Sequence, residues 1–82
     1  MNTEQLRETV LRVLGNIVPN ANVQAIAANV SFHDQFEIDS IDFLRLMMEL
    51  EKELKVTIFD LDYPKLSTLQ GCENYLAAFL TT

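Results

Sequence analysis

Eighty-two residues, 49% of them hydrophobic, leave room for one small core, so a single domain over residues 1–82 is expected. Twelve acids against six bases give a net charge of −6, spread evenly along the chain, and this balance repels phosphate backbones and excludes a nucleic-acid partner. The single cysteine, Cys72, rules out an internal disulfide and a cysteine-based metal site; no basic start leads into an apolar core and no run approaches about 20 apolar residues, so a cytoplasmic protein without stable membrane insertion is expected.

The first predicted helix covers residues 3 to 15. Leu6, Val10, Val13, Leu14 and Ile17 recur at spacings of three and four, Asn2 or Thr3 can cap the start, and Gly15 followed by Pro19 supplies stop signals. A long connection follows, from about Asn16 to Asp39. It contains Val23, Ile26, Val30, Phe32, Phe36 and Ile38, too apolar for a free linker, and Phe32 and Phe36 are expected to pin it across the helices. A short helical turn within Val23 to Asn29 is compatible with its pattern. His33 has no second His and no nearby Cys with which to share a metal, so it reads as a solvated loop residue, and no metal site is expected.

Residues 40 to 54 form the clearest helix. At about 100° per residue, Phe43, Leu46, Met47, Leu50 and Leu54 fall on one broad stripe that faces the core. A second apolar group, Ile41, Leu44 and Met48, lies away from that stripe, close to Arg45 and Lys52. Two readings follow: the long loop covers this group, or it forms a partly exposed docking surface in which the flexible thioether of Met48 adapts to different shapes. Val56-Thr57-Ile58 is β-prone but too brief for a sheet. Asp60 or Asp62 then opens a short segment in which Pro64 suits the first turn of a small helix ending near Leu66. Ser67 is expected to cap a last helix, Thr68 to Leu80, with Leu69, Cys72, Tyr75, Leu76, Phe79 and Leu80 inward and Cys72 acting as a small buried apolar residue. The fold class is therefore all-α: a small four-helix bundle, three main helices and a short one, with a long first loop.

The tetrapeptide Asp39-Ser40-Ile41-Asp42 places a serine hydroxyl where the long loop ends and the clearest helix begins. Helix starts leave four backbone N–H groups without internal partners, and the summed peptide dipoles make that end positive, which favours an attached anion. A serine here is either a cap or a phosphate acceptor.

The run from Asn29 to Asp42, continued by Leu46-Met47-Met48-Glu49-Leu50-Glu51-Lys52-Glu53-Leu54, Val56-Thr57-Ile58 and Lys65-Leu66-Ser67-Thr68-Leu69, resembles the acyl carrier protein family around its Asp-Ser-Leu signature. The likeness covers about fifty consecutive residues. It implies that Ser40 carries a 4′-phosphopantetheine arm, taken from coenzyme A by a phosphopantetheinyl transferase, with Asp39, Ile41 and Asp42 as motif neighbours and Asp39 as the helix cap. It also implies a monomeric carrier of acyl thioesters for fatty-acid or related lipid synthesis. Its partners would be acyl-transferring or condensing enzymes, met through Ile41, Leu44, Arg45, Met48 and Lys52. Three departures stand out: Glu37-Ile38 where the family often has Gly before a small or apolar residue, Ile41 for Leu, and the bases Arg45 and Lys52 where fatty-acid carriers show acids. Those bases either balance local acids at helical spacing or mark a specialised set of partners.

Two other functions fit the same residues. A peptidyl, polyketide or aminoacyl carrier shares the fold and the serine, whereas a helical adaptor would use the apolar surface to bind an amphipathic helix, with Ser40 only as a cap. An enzyme is not expected. One His, no Gly-rich phosphate loop, no metal-ligand cluster and no paired nucleophile and base leave no catalytic residues.

Overall fold

The computed structural model describes residues 2–80, with the side chain of Leu80 outside what is described, so its predicted inward position is left aside. Helix α1 runs Thr3–Ile17, α2 Phe32–Phe36, α3 Ser40–Leu54 and α4 Leu69–Leu80, and two 3₁₀ segments, Val23–Ala25 and Asp60–Leu66, interrupt the connections. The all-α bundle expected from the sequence is the fold observed.

Asn2 caps α1 in a reciprocal box: its side chain accepts the Gln5 N–H at 2.8 Å while the Gln5 side chain accepts the Asn2 N–H at 3.1 Å. The helix extends two residues beyond the expected stop, because Gly15 keeps a helical backbone and the chain leaves only before Pro19. Leu6, Val10, Leu11, Val13 and Leu14 are buried and pack against α3 and α4.

The long connection differs most from expectation. Its helical turn is Val23–Ala25, and a true helix, α2, follows where none was predicted. Ser31 caps α2 by accepting the Asp34 N–H at 3.1 Å, and Glu37 ends it in the left-handed region at φ 54°. That is one of the positions where the sequence departs from a family glycine, and a side chain there carries steric strain of about 1 kcal/mol. Tertiary contacts hold so short a helix: the Phe32 N–H donates to the Ser67 carbonyl at 2.9 Å. The Gln35 amide serves the backbone of the preceding loop, donating to the carbonyls of Ala27 and Val30 and accepting the Ala27 N–H. Phe32 is fully buried and Ile38 buried, Phe36 is half-buried, and Val30 is exposed rather than pinned.

Helix α3 has the predicted bounds, and its whole inner stripe is buried. Val56–Ile58 forms no strand, but Ile58 is buried and its N–H donates to Glu51 Oε2 at 3.0 Å. The small helix is a 3₁₀ segment with Pro64 as its fifth residue, not in a first turn. For α4 the cap is Thr68 instead of Ser67: Thr68 Oγ1 accepts the Gly71 N–H at 2.9 Å, and the Ser67 carbonyl is engaged by Phe32. Gly71 cannot be another residue without movement, since a Cβ there would lie 2.1 Å from the Lys65 carbonyl oxygen. Leu69, Cys72 and Leu76 are buried, Tyr75 is half-buried, and Phe79 is 45% exposed, contrary to its predicted inward position.

Polar groups close the remaining edges. Glu73 is buried and pairs with Arg7 across α1 and α4, and this bond raises the Arg7 guanidinium above its usual value. Arg12 pairs with Glu53 across α1 and α3. The Tyr75 hydroxyl donates to Asp62 Oδ2 at 2.7 Å, which holds the Asp62 carboxyl below its usual range with further help from Lys65. Cys72 donates its S–H to the Leu66 carbonyl, and burial pushes the thiol up to about 12.

Candidate functional site

Asp39 has extended backbone, and its carboxylate accepts the Asp42 N–H at 2.8 Å, so it is the cap of α3. The Asp39 carbonyl accepts the Phe43 N–H at 3.0 Å. Ser40 is therefore the first helical residue, exposed, and its hydroxyl has no hydrogen-bond partner among the described residues. Of the two roles open to a serine here, capping is taken by its neighbour. The hydroxyl stands beside the amide N–H groups of a fifteen-residue helix, where an attached phosphate would be stabilised. The residues present thus fit the covalent attachment of a phosphate-linked group.

Beside Ser40 opens a cleft of about 460 Å³ between α2, α3 and the 3₁₀ segment, lined by His33, Phe43, Leu44, Tyr63, Pro64 and Ser67. Three rings shape it. The His33 and Phe43 centroids are 5.3 Å apart, and Phe43 meets Tyr63 nearly at right angles, 81°, at 6.0 Å. His33 is solvent-exposed, as expected, but it belongs to α2 and borders this cleft, which corrects its placement in a loop. Burial raises the Tyr63 phenol above its ordinary value, reinforced by the Glu51 and Asp60 charges. A wider hollow of about 650 Å³ under residues 18–25 is lined by amides, alanines and carboxylates together with Val18, Pro19 and Phe36, and has no group that singles it out.

The second apolar group on α3 is open, not covered by the loop: Ile41 is 70% exposed, Leu44 43% and Met48 56%. Arg45 and Lys52 are exposed on the same side and make no ion pair among the described residues, so the balancing by local acids at helical spacing is not formed, neither with Asp42 nor with Glu49. The predicted site residues Ser40, Ile41, Leu44, Arg45, Met48 and Lys52 therefore share one outward face. The cleft residues His33, Tyr63, Pro64 and Ser67 were not read as site residues from sequence; only Phe43 and Leu44, three and four residues after Ser40, carried a spacing signal.

Chemically, this arrangement offers an exposed hydroxyl at a positive helix end, an apolar cleft beside it and an open ridge beyond. Asp39, the adjacent carboxylate, is engaged as the helix cap by the Asp42 N–H. No cluster of three His, Cys, Asp or Glu side chains able to hold a metal occurs among the described residues, and none of the described helices is long and apolar enough to cross a membrane.

Comparison with known proteins bears on the same residues. A family model described as a phosphopantetheine attachment site matches residues 4–76. The acyl carrier protein of Buchnera aphidicola subsp. Schizaphis graminum is 32% identical over 71 residues, covering 87% of this chain and 89% of its own. That of Chlorobium phaeobacteroides is 34% identical over 76 residues, covering 93% and 96%. The solution structure of a candidate acyl carrier protein from Anaplasma phagocytophilum superimposes with a TM-score of 0.86 at 25% identity, over 99% of this chain and 94% of that one. A bundle of this fold, bearing a phosphopantetheine attachment domain across nearly its whole length, belongs to the acyl carrier protein family.

Proposed function

We propose that Ser40 is the residue that takes the 4′-phosphopantetheine arm, and that the protein presents acyl groups to enzymes of fatty-acid or related lipid synthesis. The observation that carries this reading is the division of labour at the start of α3: Asp39 caps the helix and leaves the Ser40 hydroxyl exposed and unbonded. Capping by Ser40 itself would have occupied that oxygen.

The unpaired N–H groups of the first turn of α3 would face the linking phosphate, and Leu44 and Pro64 give the adjacent cleft an apolar rim. The arm, when bound, supplies a terminal thiol that holds acyl groups as thioesters. The chain's own contribution is to display, orient and offer a docking face. A phosphopantetheinyl transferase supplies the base that removes the hydroxyl proton, and acyl-transferring or condensing enzymes then act on the cargo. On this reading the protein works as a cytoplasmic monomer, a substrate of enzymes and not itself one.

Intact mass spectrometry after incubation with coenzyme A and a phosphopantetheinyl transferase tests the assignment. The wild type gains roughly 340 Da, the formula mass of a phosphate-linked pantetheine on serine. Ser40→Ala gains nothing and keeps its fold; a full gain on that variant would place the arm elsewhere.

A further inference from the structure

The outward face of α3 departs from the acidic character of the chain. At about 100° per residue, Leu44, Met48, Ile41, Lys52 and Arg45 fall in sequence across about 100° of arc, and Ile41 to Lys52 spans about 16 Å along the axis. This ridge is apolar and basic in a protein of net charge −6.

Three acids around the ridge are turned to other tasks, and two more, Asp42 and Glu49, make no ion pair with it among the described residues. Glu53 pairs with Arg12 on α1, Glu51 accepts the Ile58 N–H, and Asp39 caps the helix. Arg45 and Lys52 have no ion pair among the described residues. Lys52 lies in the last turn of α3, where a cation suits the helix dipole, whereas Arg45 has no such place. Without ion-pair partners and beside three exposed apolar side chains, both are well placed to steer and align a partner.

We propose that this ridge docks the enzyme that loads the arm's cargo, and that the enzyme presents an apolar socket edged with carboxylates. The inference rests on Ser40 as the attachment point, since Ser40 sits at the end of the same ridge and brings the cargo to whatever covers it. Ile41, Leu44 and Met48 enter the socket, while Arg45 and Lys52 meet the acids at its edge. Complementary charge selects this occupant over a lipid surface: Asp42, Glu49 and Glu53 occupy one shoulder of the helix and Glu51 the other, and the whole chain is negative, so an anionic bilayer is repelled.

The test uses purified arm-bearing protein in a desalted extract of its native cells, with cargo loading followed by intact mass. At about 0.05 M salt, Arg45→Glu with Lys52→Glu loads about tenfold more slowly than wild type, and Arg45→Gln with Lys52→Gln about threefold more slowly. Arg45→Lys with Lys52→Arg stays within about twofold, because charge and not shape is read at the edge. Raising salt to about 0.5 M narrows the spread. A glutamate pair that loads as fast as wild type, or faster, overturns the proposal. So does co-sedimentation of wild type with phosphatidylglycerol vesicles that the glutamate pair abolishes. Only protein already carrying the arm enters the assay, so failure of the Ser40 assignment shows beforehand as missing arm mass and is not confused with failure of the ridge.

Discussion

The seam where α1, α3, α4 and the second 3₁₀ segment meet and the open side around the start of α3 are built from similar residues put to opposite ends. In the seam every apolar group has a partner, and the buried acid Glu73 has Arg7. On the open side, Ile41, Leu44 and Met48 face solvent, Arg45 and Lys52 make no ion pair among the described residues, and the Ser40 hydroxyl is exposed and unbonded. The contrast teaches where the demands of folding end: side chains that stabilise the bundle are sealed, while the outer face of α3 beside Ser40 is left open. Substitutions in the seam should therefore change stability and leave arm attachment intact, while those on the open side should do the reverse.

The largest effect is expected from Leu46→Ala, which empties a fully buried position of α3 and should cost about 2 to 5 kcal/mol in urea unfolding. Gly71→Ala comes next, at about 2 kcal/mol: Ala favours a helix, but its Cβ would collide with the Lys65 backbone, which cannot swing aside as a side chain can. Arg7→Ala strands the buried Glu73 carboxylate and should lower stability at neutral pH by less than Gly71→Ala does, because Arg7 is itself half exposed. Glu37→Gly relieves a left-handed side chain and should gain up to about 1 kcal/mol in the same assay. Ile41→Ser, on the open side, should stay within about 0.5 kcal/mol of wild type; a loss above that would mean the ridge belongs to the core after all.

Alkali gives a further handle on the seam. The Cys72 thiol is raised by burial to about 12 in the fold, whereas the unfolded chain releases its proton near the ordinary value of 9.0. Its contribution is therefore complete below about pH 9 and is lost as pH rises toward 12, with a slope approaching about 1.4 kcal/mol per unit. Comparing wild type with Cys72→Ala across that window isolates the effect from other groups that titrate there.

Helix α3 was legible to the residue because five apolar positions repeat with the helical period and Asp39 precedes them as a cap. Helix α2 was not, since five residues carry too little periodicity and its hold comes from Ser67 and from loop carbonyls bonded by Gln35. Ser67 is by type at least as good a cap as Thr68; with Thr68 as the cap, the Ser67 carbonyl accepts the Phe32 N–H, a long-range bond that no local pattern announces. The site divides the same way. Ser40 and its ridge lie on one periodic element and could be read directly. The cleft joins His33, Phe43 and Tyr63 from three elements, and only packing reveals it.

The central claim is that the arm is joined to Ser40, and Ser67, which lines the same cleft, is its nearest competitor. Site-resolved tandem mass spectrometry of the transferase-treated protein separates them. The account predicts the full arm mass on the peptide fragment containing Ser40 and none on fragments containing Ser31, Ser67 or Thr68. An arm on Ser67, or one that persists in Ser40→Ala, would contradict it.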